Sequence, residues 1–140
     1  MDAFEQIVAE LFWTRGYWVR TSVKVNLTKP EKVEVGRTSM PRPEIDLVAY
    51  HGEKNYLLAL ECKSYLDSRG VTFGEICGSA ESKTYKLFRD KILREVVLRR
   101  LALQSVEQGL CSAGVTVQLG MIAGKVKGQD GPQTESLFAV

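Results

Sequence analysis

Pro43-Glu44-Ile45-Asp46-Leu47-Val48-Ala49-Tyr50 and, after a short turn, Tyr56-Leu57-Leu58-Ala59-Leu60-Glu61-Cys62-Lys63 are the two runs that decide the fold. Each is an apolar strand of hairpin length, and His51-Gly52-Glu53-Lys54-Asn55 between them supplies the turn. Tyr56 to Leu60 is apolar at successive positions, so this strand is expected at the centre of a sheet with helices on both faces. An acid opens the first strand, and an acid and a lysine close the second. Charged residues seldom occupy places where a core strand meets the interior unless they are paired or hold a metal.

Outward from this hairpin the pattern alternates between helix and strand. Asp2 is an N-cap with Glu5 as its capping-box partner, and Phe4, Ile7, Val8, Leu11 and Phe12 recur at helical spacing up to Gly16. Tyr17 to Val25 is rich in aromatic and β-branched residues and predicts a strand. Between Asn26 and Pro43, three prolines and Gly36 favour a mobile loop, with Val33 and Val35 marking at most a short edge strand. Ser64 to Ser82 reads as irregular. Lys83 to Gln108 predicts one long helix with Leu87, Ile92, Val96 or Val97, Leu101, Ala102 and Val106 on its buried stripe, stopped by Gly109. Val115 to Ala123 predicts a strand, Gly124 to Pro132 a turn region, and Leu137 to Val140 a last short strand. The expected fold class is α/β: a mixed central sheet in the order α-β-β-β-α-β, flanked by helices.

The bulk properties narrow the function without choosing it. A chain of 140 residues forms one domain, residues 1–140, with its core roughly in 1–123. With 44% hydrophobic and 26% charged residues it belongs with soluble globular proteins rather than disordered ones. A net charge of +2 neither supports nor excludes nucleic acid as a partner, because local patches decide that. The three cysteines, Cys62, Cys77 and Cys111, are odd in number and widely spaced, which argues against a disulfide framework or a zinc site. Reduced thiols point to the cytoplasm. No apolar run reaches membrane-spanning length, the N-terminus is unlike a signal peptide, and no membrane partner is expected.

Alternation along a strand puts Glu61 and Lys63 on one face with Leu57 and Ala59, and Glu44, Asp46 and Val48 on one face of the preceding strand. In an antiparallel hairpin the start of one strand lies beside the end of the next, so Asp46 falls next to Glu61. Two carboxylates and the Cys62 backbone carbonyl make an all-oxygen site suited to Mg2+ or Mn2+. Lys63 has the reach to contact a scissile phosphate or an attacking water. The bland alternative is a salt bridge at a sheet edge, but two acids against one base leave a surplus negative charge that a cation would offset. The tripeptide acid-x-Lys is uninformative alone. It occurs twice, and only Glu61-Cys62-Lys63, unlike Glu81-Ser82-Lys83, ends an apolar strand beside another acid.

These residues resemble the PD-(D/E)xK nuclease superfamily, of restriction-endonuclease-like fold. Pro43-Glu44-Ile45-Asp46 corresponds to its first acidic motif and Glu61-Cys62-Lys63 to its second. Glu5 on the first helix looks like the glutamate of the Holliday-junction-resolvase and Mrr-like branches. The resemblance implies a Mg2+-dependent nuclease acting on DNA, with Glu5, Asp46, Glu61 and Lys63 as catalytic residues and Asp46, Glu61 and the Cys62 carbonyl on the metal. Glu44 departs from the aspartate that usually follows the proline, which leaves Asp46 as the metal-binding acid. The family's helix glutamine has Gln104 and Gln108 as candidates. Dimers are common among such enzymes, so a homodimer is a possible partner state. The alternative is a non-catalytic nucleic-acid-binding or assembly module that retains the fold.

The remaining polar residues have plainer readings. Glu5 is also the capping-box residue, and Glu10 lies at the other rim of the apolar stripe. His51, the single histidine, reads as a solvated turn residue. Lys24, Lys29, Lys32, Arg37 and Arg42 lead into Asp46 and are suited to clamp a phosphate backbone. The second basic group, Lys83 to Arg100, reads as a solvated helix surface diluted by Asp90 and Glu95.

Overall fold

Strand β3, Tyr56–Lys63, is paired along both edges, and the rest of the molecule is arranged around it. The computed structural model describes residues 2–63 and 86–123. The expectations for residues 64–85 and 124–140, including the second acid-x-Lys and the last strand, lie outside the described residues. Helix α1 spans Ala3–Thr14, β1 Trp18–Lys24, α2 Lys29–Val35 and β2 Glu44–His51; after β3 come α3, Lys86–Arg89, α4, Lys91–Glu107, and β4, Thr116–Ala123. The sheet order is β1-β2-β3-β4. The first two pairings are antiparallel and β3 runs parallel to β4. The architecture is therefore mixed α/β, a four-stranded mixed sheet flanked by helices.

Two cores lie on opposite sides of the sheet. Val8 and Ala9 of α1 pack with Leu47, Ala49, Leu58, Leu60 and Cys62. Leu93, Val96, Val97 and Leu101 of α4 pack with Val48, Leu57 and Ala59. Leu101 and Val97 are fully enclosed, and burying such a side chain is worth roughly 1.5–3 kcal/mol. Helix α1 begins as its sequence dictates: the Asp2 carboxylate accepts from the Glu5 N–H at 2.8 Å, and the Glu5 carboxylate accepts from the Asp2 N–H at 3.3 Å. The expected α1 stripe is too wide, since Ile7 and Leu11 are 57% and 53% exposed. Only the Phe4-Val8-Phe12 side meets the sheet.

Residues 29–35 are helical, not a loop or edge strand. Thr28 and Glu31 form a second capping box, and proline falls in the first turn, where its missing N–H costs nothing. Gly36 ends α2 at φ 79°, a left-handed conformation that suits glycine. Glu31, 6% exposed, also accepts from Arg100 Nε at 2.8 and 3.1 Å, and Arg99 reaches Glu34 at 2.7 Å. Burial works to raise the Glu31 carboxyl pKa, but the Thr28 and Arg100 hydrogen bonds outweigh it and hold the group below its usual value. Two arginines expected to face solvent, Arg99 and Arg100, thus lock α2 to α4.

The long helix is interrupted at Asp90. Its side chain caps α4 by accepting from the Leu93 N–H at 3.1 Å. The restart changes the phase of the stripe, so Leu93 is buried and Ile92 is 56% exposed. Gln104, 6% exposed, donates to the Lys24 carbonyl and accepts from the Asn26 N–H, both at 2.9 Å. It ties α4 to the end of β1.

Candidate functional site

Strand alternation fails at Asp46. In a regular strand Ile45 and Leu47 would share a face. Here Ile45 belongs to the α4-side core and Leu47 to the α1-side core. Strand β1 does the same opposite: Val19 packs toward α1, Val23 toward α4. Ser22, which the register of Thr21 with Leu47 and Val23 with Ile45 leaves facing Asp46, adopts φ 52°. A serine in the left-handed region marks a local irregularity. The expectation that Glu44, Asp46 and Val48 lie along one face of a regular strand is therefore corrected: both strands turn over at this point.

The β2–β3 ladder stops at the same place. Its last pair is Leu47 with Leu60, while β3 continues along β4 to Lys63. The end of β3 is thus held from the β4 side and released from β2. Into the gap reaches the Asp46 side chain, which accepts from the Cys62 N–H at 2.9 Å. The N–H and carbonyl of one strand residue point to the same side, so the Cys62 carbonyl projects toward β2 as well. The local irregularity converts a ladder position into a polar one.

Electrostatics follow from that packing. Glu61 is pushed up to about 8, first by burial, then by the charge of Asp46 and by a hydrogen bond to it, with a smaller push from Glu5; Lys63 pulls the other way. Two carboxyl groups this close resist joint ionisation. The Cys62 thiol is pushed up to about 12, by burial and then by Asp46, Glu5, Glu61 and Asp2. It is a buried core side chain, protonated at neutral pH. Cys62 serves the site through its backbone, the N–H bonded to Asp46 and the carbonyl beside it, and not through its thiol.

Glu61 and Lys63 line a cleft of about 380 Å³ with Glu44, Arg37 and Arg42. Asp46 and Glu5 are not among its lining residues. The structure therefore brings Asp46 to Glu61, and Lys63 beside Glu61 on the cleft wall. Glu5 acts on Glu61 through its charge and remains bound in its capping box. Among the described residues no group of three or more His, Cys, Asp or Glu side chains is placed to hold a metal ion. A cation here would rest on Asp46, Glu61 and backbone oxygen, and a divalent charge would offset the repulsion by which Asp46 raises the Glu61 pKa.

Other candidates fall elsewhere. His51 is the last residue of β2, at the end opposite Glu44; its Nδ1 accepts from the Lys54 N–H at 3.3 Å and its ring meets Tyr17 at 5.2 Å. Gln104 is structural, and Gln108 caps the C-terminal end of α4. Arg42 was read as one of a mobile basic group; it is held by Asn26 Oδ1 at 3.1 Å, and Arg37 by Asp90 at 3.3 Å. Sequence reasoning missed the apolar part of the cleft, Met40, Leu87 and Phe88. Their only signal was their position on either side of the basic residues.

No family model and no curated protein matches the chain. One solved structure, "Crystal Structure of Protein of Unknown Function AF1548", is similar at 16% identity with a TM-score of 0.44, over 96% of this chain and 54% of that one. The chain thus spans about half the length of that protein. So loose a likeness assigns neither family nor function. Among the described residues no helix is long and apolar enough to cross a membrane.

Proposed function

We propose that this chain is a metal-dependent nuclease of the PD-(D/E)xK type, with a restriction-endonuclease-like fold, that hydrolyses phosphodiester bonds in DNA in the cytoplasm. One observation carries the reading: where β2 parts from β3, Asp46 bonds the Cys62 N–H and lies close enough to Glu61 to push that carboxyl's pKa up, while Lys63 stands two residues on. A salt bridge at a sheet edge does not account for two carboxyls kept together at the cost of a strongly raised pKa.

In this reading Asp46, Glu61 and the Cys62 carbonyl hold Mg2+ or Mn2+. A bound divalent cation supplies charge neutralisation at the phosphate and makes nearby water more acidic. Lys63 donates to a non-bridging phosphate oxygen and stabilises the charge that grows during displacement. Glu61 must lose its proton for the site to load, and Lys63 favours that loss. Arg37 and Arg42 hold the adjoining backbone phosphates. Glu5 acts through its charge on Glu61 and positions the start of α1.

The test is cleavage of mixed DNA substrates with Mg2+ or Mn2+ by wild type, Asp46→Ala and Lys63→Ala. Wild type is expected to cut and both variants to lose activity. Equal activity in all three points to a contaminant and defeats the assignment. Salt-sensitive DNA binding with no metal effect points instead to a non-catalytic binding module.

A further inference from the structure

The cleft beside Glu61 also has an apolar wall that phosphate chemistry does not use. Met40, Leu87 and Phe88 form it, next to the cations Arg37, Arg42 and Lys86. The apolar residues come from the segment before β2 and from α3, and all three also pack against the α4-side core. The cations have different origins, yet two are fixed in place. Arg37 is held by Asp90 at 3.3 Å, and Arg42 by Asn26 at 3.1 Å. An aromatic ring among preorganised cations, next to a hydrolytic site, matches the two faces of a nucleotide: a flat apolar base and an anionic phosphate.

Size makes the match more specific. A volume of about 380 Å³ lies at the lower end of the range for small-ligand pockets. It has room for one nucleotide. We infer that the cleft takes a single unpaired nucleotide of a DNA strand, its base against Phe88 and Met40 and its phosphate toward Arg37, Arg42 and Lys86. The substrate is then DNA with a single-stranded extension or splayed end beside the phosphate to be cut. Glu44 at the cleft wall disfavours a second phosphate there, which limits the subsite to one nucleotide. This inference rests on the nuclease reading and adds to it the structural class of the DNA.

The experiment compares a hairpin duplex carrying an oligothymidine extension with the same hairpin blunt-ended, by fluorescence anisotropy in EDTA at fixed ionic strength. The extension is expected to strengthen binding about tenfold, the scale of one base stacked on an aromatic ring. Phe88→Leu, which keeps the apolar contact with the core but removes the ring, is expected to abolish that preference and leave blunt-end affinity unchanged. Met40→Ala is the second variant should Phe88→Leu fail to fold, and is expected to reduce the preference. A 2-aminopurine placed in the extension should lose fluorescence on wild type and keep it on Phe88→Leu. Arg42→Ala should weaken both substrates. Equal affinity for the two hairpins, or a preference that survives Phe88→Leu with unquenched 2-aminopurine, overturns the inference. If wild type nonetheless cuts blunt DNA with Mg2+, the nuclease reading stands without it. A ring-dependent preference in a protein that cuts nothing sustains the subsite and overturns the nuclease reading.

Discussion

The Asp46 carboxylate accepts a hydrogen bond from the Cys62 N–H at 2.9 Å across the point where two paired strands separate. A side chain there does what a backbone carbonyl would do one rung earlier. Asp46 therefore has a structural duty as well as the proposed chemical one, and the two can be separated by substitution. Asp46→Ala leaves the Cys62 N–H without its partner and is expected to cost about 1–3 kcal/mol in urea denaturation. Asp46→Asn retains an acceptor oxygen and is expected to keep most of that stability. Neither variant should gain thermal stability from Mn2+, whereas wild type should, because a ligand that binds only the folded state raises its stability. An Asn variant that keeps the full Mn2+ effect would remove Asp46 from the metal site.

Glu61 makes the metal-free protein sensitive to pH in a fixed direction. Its folded-state pKa of about 8 lies above the ordinary 4.5, chiefly through burial and then Asp46. The folded state consequently holds a proton that the unfolded state has released over that window. The contribution of Glu61 to stability is greatest below about 4.5 and is lost as pH rises through about 8. Denaturation curves in EDTA across this range are expected to show the decline, and Glu61→Gln to flatten it. Mn2+ affinity should move oppositely, rising toward about 8 as the carboxyl deprotonates.

Lys63 differs from the acids in what its loss should affect. Lys63→Ala is expected to lower DNA cleavage by about a hundred- to a thousandfold, the scale of one removed donor to developing negative charge. The Mn2+ increment in thermal stability should persist, since the ligand oxygens remain. Loss of both together would mean that Lys63 chiefly holds Glu61 ionised.

Gln104 provides the contrasting case. It joins α4 to β1 through the Lys24 carbonyl and the Asn26 N–H. Gln104→Ala is expected to cost about 2 kcal/mol by stranding these groups. It should leave the Mn2+ response unchanged, as should Gln108→Ala. A selective loss of metal binding in Gln104→Ala would restore the role that the family resemblance suggests for it.

Much of this arrangement was legible in the residues themselves. Asp2 and Glu5 announced the first cap, and the two apolar runs gave β2, β3 and the meeting of Asp46 with Glu61. Helix α2 was misread because prolines were taken as breakers, although Thr28-Lys29-Pro30-Glu31 carries both a capping box and a proline where helices accept one. The break at Asp90 was hidden by strong helical periodicity on both sides. The turnover at Asp46 had no local signal at all: it coincides with the left-handed backbone of Ser22, which is adjacent only after β1 and β2 have paired. The Gln104 clamp likewise joins residues far apart in sequence.

Strand β3 has one further consequence. Enclosed by β2 and β4, with Leu57 and Ala59 fully buried, it should contain the slowest-exchanging amides of the molecule. Glu61 and Lys63 are carried on its tip, still paired with Met121 and Ala123. Fraying of α1 or α2 would leave their backbone in register, so their spacing would be lost only when the whole domain opens.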